Sequence, residues 1–221
     1  MSIKFKDLPR YIQEESHAAA MYARAAYNRD GYEIPKKYLI ENKKTDTQVY
    51  VWKKGTTVWV AFRGTEKKLK DIITDLWCFR RRIPFDNKKG IRVHGGFLKA
   101  YMSIRDELLT KITEFVDQGA IWVKGVGHSL GGALTTLLAV DLQKNKFFKE
   151  DNSRFFTDGQ PKVGNRKFAK SFNKRVPNYY RLTNKFDPVP KVPVTGTHVG
   201  ARVKTISLKG HDASHYVDNT D

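Results

Sequence analysis

The chain has 221 residues, 40% hydrophobic and 12% aromatic, enough to bury one sizeable core, and it reads as a single domain over 1–221. No run reaches the roughly 18–20 apolar residues that cross a bilayer, the opening MSIKFKDLPRYIQEE holds no apolar stretch of signal-peptide length, and the lone Cys78 excludes an intrachain disulfide. With 41 Lys and Arg against 23 Asp and Glu, the formal net charge is +18, a field that would draw anionic partners.

Together the single cysteine and the polar N-terminus set the expectation of a cytosolic or otherwise intracellular setting. The anionic partner is either an acidic lipid surface or a nucleic acid. No zinc-finger spacing and no aromatic RNA-binding motif accompany the charge, so nucleic acid is the minor expectation.

In chain order, SHAAAMYARAAY (16–27) is alanine-rich and predicts a helix. QVYVW (48–52) and TVWVAF (57–62) are β-branched and aromatic runs around KKGT, the pattern of a hairpin. A first basic cluster follows, with Arg80, Arg81, Arg82, Lys88, Lys89 and Arg92. Beyond His94-Gly95-Gly96, apolar residues at Phe97, Tyr101, Ile104, Leu108, Ile112 and Phe115 step by three and four, which predicts one amphipathic helix. IWVKGV (121–126) predicts a buried strand, GGALTTLLAVDLQK (131–144) an apolar helix and RFFT (154–157) a strand. NRKFAKSFNKR (165–175) then predicts a helix, and YYRLT (179–183) and ARVKTISL (201–208) two more strands. Between Gly159 and Phe186 there are eight Lys or Arg and no acid, a second basic cluster. Strands alternating with helices imply an α/β chain with a mostly parallel sheet covered on both faces.

One short stretch carries chemistry. VGHSLGGAL (126–134) places Ser129 between glycines where a strand turns into a helix, fitting the pattern G-x-S-x-G. A tight strand-to-helix turn strains its central residue and needs small neighbours. The turn holds a hydroxyl above the sheet edge, and the amide of Leu130, at a helix N-terminus, can bind a developing oxyanion. The bare pattern arises by chance in roughly one chain in fifteen of this length, so alone it leaves a structural glycine turn open.

GHSLGGAL resembles the nucleophile segment of the class 3 lipases, the family of the fungal triacylglycerol lipases. AFRGT (61–65) resembles that family's oxyanion segment and VHGGF (93–97) its His-x-Gly-Phe block. TDGQPKVGNRKFA (157–169), YRLTNKFDPVPKVP (180–193) and THVG (197–200) resemble three further blocks in the same order. The resemblance implies an α/β-hydrolase fold and a serine carboxylic-ester hydrolase acting on acylglycerols or related lipid esters, with no cofactor and no metal. A phospholipase or lysophospholipase acting on anionic lipid surfaces, and a lipase-like interaction protein without catalysis, are the alternatives.

A nucleophilic serine needs a base, and the base an orienting carboxylate, in the chain order Ser, acid, His. Asp187 follows YYRLT, precedes Pro-Val-Pro and falls on the family's acid position. Asp158, at the end of the preceding strand, is the competitor. His211 comes three residues after the last predicted strand, and the spacing to Tyr216 matches the His of plant-like and microbial members. His215 is the alternative base. Thr65 takes the position of the family's oxyanion Ser or Thr, with Leu130 as the second donor. The resemblance makes 66–92 the counterpart of the fungal lid, where Leu69, Ile72, Ile73, Leu76 and Trp77 keep helical spacing. Arg63, His94 and His128 read as structural supports, and no spacing suggests a metal centre.

Overall fold

Alternation along the strands decides the architecture. In β3 (Thr47–Lys54), Val49 and Val51 join one apolar cluster while Tyr50 and Trp52 join another. In β4 (Thr57–Phe62), Val58, Val60 and Phe62 face the first cluster, and Trp59 and Ala61 face the second. Successive strand side chains point to opposite faces, so a sheet apolar at every position must be covered twice. The two strands form the expected hairpin, paired from Val49↔Phe62 to Lys54↔Thr57. The two-residue turn between them opens on Gly55 at φ +59°, a conformation that glycine takes without a Cβ clash.

The computed structural model describes residues 2–28, 33–64, 81–84, 89–145 and 148–205. Its sheet has eight strands. With β1 (Ser2–Lys4), β2 (Leu39–Asn42), β5 (Trp122–His128), β6 (Ser153–Asp158), β7 (Tyr179–Asn184) and β8 (Ala201–Thr205), the order is β1-β8-β7-β6-β5-β4-β3-β2. Pairing is parallel from β1 to β4 and antiparallel from β4 to β2. The mostly parallel sheet expected from the sequence is therefore present. The two edge strands, β1 and β2, were not anticipated: at three and four residues, with exposed positions in each, they show no readable periodicity.

On one face lies α1 (Arg10–Ala25), whose Ala19 and Ala23 pack with Trp52, Trp59, Val126 and Phe156. The other face carries α2 (Gly95–Met102), α3 (Arg105–Asp117), α4 (Leu130–Asn145) and α5 (Arg166–Arg175) over a larger apolar cluster. The single helix expected after His94 is two. Ser103 ends the first, its hydroxyl bonding the Ala100 carbonyl at 2.7 Å, and Ile104 leaves helical geometry at φ −125°, ψ −4°. Both pieces keep their apolar stripe toward one core, which is why the periodicity ran on unbroken.

Central to the fold is α4, buried from Leu130 to Leu142. Asp141, with no exposure, fixes it to its neighbours. Its carboxylate accepts Tyr101 Oη–H at 2.8 Å, Arg105 Nη2–H at 3.0 Å and Asn145 Nδ2–H at 2.7 Å. A buried carboxylate so paired ties α2, α3 and α4 together, and the helix that follows Ser129 is held from its far end.

Candidate active site

Ser129 sits between the end of β5 and the start of α4, fully buried, with φ +57°. Positive φ costs a non-glycine residue on the order of 1–3 kcal/mol and persists only where the surroundings impose it. Here they do. The Ser129 amide donates to the Asp158 carbonyl at 2.9 Å, and its carbonyl accepts the Gly132 amide at 3.0 Å. A Cβ on Gly127 would lie 2.8 Å from the Gly132 nitrogen and closer still to the Gly131 carbonyl. One on Gly131 would strike the Phe62 carbonyl oxygen and lie 3.0 Å from its carbon. These glycines are needed for space: the first turn of α4 rests directly on the exit of β4.

That exit belongs to the AFRGT segment. A Cβ on Gly64 would lie 2.7 Å from the His128 carbonyl oxygen, so the chain leaving β4 runs beside the serine turn. Arg63 anchors it, its amide bonding the Gln48 carbonyl at 3.1 Å and its guanidinium the Gln48 side chain. Thr65 lies outside the described residues. Leu130, 4% exposed, opens α4, so its amide is among the first-turn donors that a helix leaves without a carbonyl of its own.

Asp187 lies in the loop after β7, two strands from β5 and at the same carboxyl edge of the sheet. It is 1% exposed, and its Oδ1 accepts the Val189 amide at 2.8 Å. Asn184 shapes the turn, its carbonyl taking the Asp187 amide at 3.3 Å and its Oδ1 the Phe186 amide at 3.2 Å. The competitor Asp158 ends the intervening strand and is 3% exposed. Burial pushes its carboxyl up to about 7. An acid that is half protonated near neutrality is a weaker partner for an imidazolium than a carboxylate holding a backbone amide. His211, His215 and the segment 66–80 lie outside the described residues.

Two upstream histidines are bonded to their surroundings. His94 caps α2, its Nδ1 accepting the amides of Gly96 at 3.0 Å and Phe97 at 3.4 Å. His128 Nδ1 lies 2.9 Å from the Tyr27 hydroxyl. Tyr27 was absent from the sequence reading: 101 positions separate it from its partner, and no local pattern joins them. Among the described residues, no group of His, Cys, Asp and Glu could hold a metal ion, and no helix is long and apolar enough to cross a membrane.

A strained serine between a parallel strand and a buried helix, with an acid at the end of a later strand, defines the α/β-hydrolase class. The family model for lipase (class 3) matches residues 59–197, more than half of the chain, and the chain belongs to that family. It is similar to a lipase of Rhizomucor miehei, 34% identical over 139 residues, 62% of this chain and 38% of the relative. It is also similar to a secreted mono- and diacylglycerol lipase of Malassezia restricta, 34% identical over 145 residues, 63% of this chain and 48% of the relative. The chain thus spans less than half of either relative's length. Among solved structures, it resembles a triacylglycerol lipase whose catalytic centre is formed by a serine protease triad. That match has a TM-score of 0.77 at 26% identity, over 91% of this chain and 82% of that one.

These relatives correct one expectation. The cytosolic setting does not stand, because the Malassezia restricta relative is a secreted enzyme. A single cysteine excludes an intrachain disulfide and says nothing more of the compartment. An eight-stranded sheet covered on both faces has core enough to hold without one.

Proposed function

We propose that this chain is a serine carboxylic-ester hydrolase acting on acylglycerols or related lipid esters as a single domain over 1–221. The observation that carries the reading is Ser129 at φ +57°, held in a turn whose neighbouring glycines have no room for a side chain. The family membership supports it, as do the names of the relatives. The domain reading is supported by one sheet in which β1, at the start of the chain, pairs with β8.

In this mechanism Ser129 Oγ attacks the ester carbonyl carbon as His211 takes its proton, and the carbonyl oxygen becomes an oxyanion held by the amides of Leu130 and Thr65. Collapse breaks the bond to the alkoxy group, which leaves as the alcohol with the proton from His211. Water, deprotonated by His211, attacks the acyl-serine, and the carboxylic acid departs as Ser129 regains its proton. Asp187 holds the imidazole in the tautomer that keeps Nε2 toward the serine. The Gly64 backbone beside the His128 carbonyl supports the place given to Thr65. Lys167, Lys170 and Lys174, exposed along α5, support attraction to an anionic lipid surface.

The test is direct. A fluorophosphonate probe should label Ser129 alone, and Ser129→Ala should lose labelling and at least about a thousandfold in ester turnover while keeping its circular dichroism. His211→Ala should be equally inactive, since members of one triad are non-additive, and His215→Ala should keep most activity. Labelling at another serine sinks the reading.

A further inference from the structure

On the α1 face of the sheet, the hydroxyl of Tyr27 reaches His128, the last residue of β5 and the neighbour of Ser129. The end of α1 is anchored so that it can do so. The helix closes in a turn in which the amides of Tyr27 and Asn28 donate to the Arg24 and Ala25 carbonyls at 3.0 and 2.9 Å. Asn28 takes the left-handed conformation at φ +50°, which asparagine tolerates better than most residues, and its Nδ2–H donates to the Tyr50 hydroxyl on β3 at 2.8 Å. Tyr50 is 1% exposed, so this bond pins the helix end to the buried sheet. From there Tyr27, half-buried, places its hydroxyl 2.9 Å from His128 Nδ1, with the two rings 5.9 Å apart.

The same hydroxyl meets a second segment. A Cβ on Gly64 would lie 3.1 Å from the Tyr27 ring carbon that carries the hydroxyl, and closer still to the oxygen itself. It would also lie 2.7 Å from the His128 carbonyl oxygen. Gly64 thus packs its bare α-carbon onto both groups, and a residue with a side chain does not fit there. This is the place where the chain leaves the sheet. The β4–β5 ladder ends at Phe62↔Gly127, and Arg63 carries the chain one residue further with its amide on the Gln48 carbonyl at 3.1 Å. At the next residue, Gly64, Tyr27 touches the chain directly and is bonded to the residue before the nucleophile.

We propose that Tyr27 is a positioning residue for ester hydrolysis: its hydroxyl, bonded to His128 and packed on Gly64, fixes the exit of β4 against the serine turn and so keeps the oxyanion donors in place. This role rests on those given above to Ser129, Leu130 and Thr65, and it adds the side chain that ties their two segments together. Tyr27 acts through Gly64 and His128. An oxyanion donor works at about 2.7–3.1 Å from the developing charge, and losing one outright costs on the order of 10²–10³ in rate. A misplacement of about 1 Å costs up to roughly a hundredfold. A donor that shifts but stays should therefore cost about tenfold. The tetrahedral oxyanion depends on these donors more than the ground-state carbonyl does, so the loss should fall on kcat and spare KM.

The experiment compares the unmodified chain with Tyr27→Phe, which keeps the ring and removes only the hydroxyl. On a soluble short-chain ester, kcat should fall about tenfold with KM within about twofold. An aliphatic trifluoromethyl ketone, to whose carbonyl carbon Ser129 Oγ adds to leave an oxyanion, should bind about tenfold less tightly in parallel. A contact that only held the fold together would lower the melting temperature and leave the affinity for this mimic unchanged. His128→Leu removes the same bond from its other partner and guards against misfolding of the first variant; in that background Tyr27→Phe should cost less than about twofold. His128→Asn, whose amide stands near the place of Nδ1, should keep most of the activity. Tyr22→Phe, on the same helix with its ring packed on Trp52 and Trp59, removes a hydroxyl elsewhere and should change neither kcat nor mimic affinity. The proposal falls if Tyr27→Phe keeps full kcat, if it loses kcat without losing mimic affinity, or if the losses multiply in Tyr27→Phe/His128→Leu. The unmodified chain separates that failure from failure of the mechanism. Where a fluorophosphonate labels Ser129 and Ser129→Ala is inactive, only the role of Tyr27 is lost; turnover indifferent to Ser129→Ala removes both.

Discussion

The serine turn and the loop after β7 lie at one edge of the same sheet and are built by opposite means. Around Ser129 the chain is apolar and dry: Leu130 to Leu142 are buried, Gly131 lies against backbone, and the turn is fixed by amide bonds to Asp158 and Gly132. Around Asp187 it is charged and hollow, with cations from four separate segments converging on one cavity. The first region has a single solution that tolerates no added atom. The second is a set of charges around an open cavity of about 500 Å³. A rigid turn and a charged cavity are thus built by different parts of the fold.

The largest effect should come from adding volume to the first region. Gly131→Val puts a side chain onto the Phe62 carbonyl, a backbone group that cannot move without unpairing β4 from its neighbours. Overpacking of this kind costs on the order of 3 kcal/mol or more. The variant should lose most of its cooperative thermal transition or melt many degrees lower, with no ester turnover. A variant that melts within a few degrees of the unmodified chain would show that the turn has slack. A larger side chain in the second region, Lys191→Trp, should change melting little, because that position is exposed beside the cavity.

Next in size is the choice between the two acids. Asp187→Asn should lower kcat/KM by about 10³–10⁴, since an amide in place of the carboxylate leaves the imidazole in the wrong tautomer. Asp158→Asn should lower it less than tenfold. Steady-state kinetics on a soluble ester decide this, and a reversed order moves the acid from the end of β7 to the end of β6.

What the sequence disclosed follows the same division. The serine turn was readable because its parts are contiguous: Gly127, Ser129 and Gly131 lie within five residues, and the strand and helix around them have clean periods. The hairpin, the parallel strands and α5 were readable for the same reason. The cavity was not, because Lys162, Arg181, His198 and Arg202 are spread over some forty residues and meet only through strand register. The sequence showed a basic stretch but could not show that Arg181 and Arg202 are neighbours. Tyr27 beside His128 and the break at Ser103 were hidden likewise, one by distance in the chain and the other by a hydroxyl that competes with a helix whose apolar stripe continues past it.

The smallest effect is the one that tests how dry the first region is. Asp158 ionises at about 7 in the folded chain against an ordinary value of 3.8, with burial as the cause. Between those values the folded state keeps a proton that the unfolded state has released, so stability declines as pH rises through that window and the loss is complete above about pH 8. The full shift corresponds to a ceiling on the order of 4 kcal/mol, and relaxation around the charge should cut the observed effect to about 2 kcal/mol. Asp158→Asn removes the ionisation. It should therefore unfold at a higher denaturant concentration than the unmodified chain at pH 8, with the advantage shrinking steadily toward pH 4, where both chains carry a neutral side chain. Urea titrations at pH 4, 6 and 8 measure this as a midpoint difference that grows with pH at unchanged slope. A difference independent of pH would mean that water reaches the Asp158 carboxyl and that the serine turn is wetter than its packing indicates.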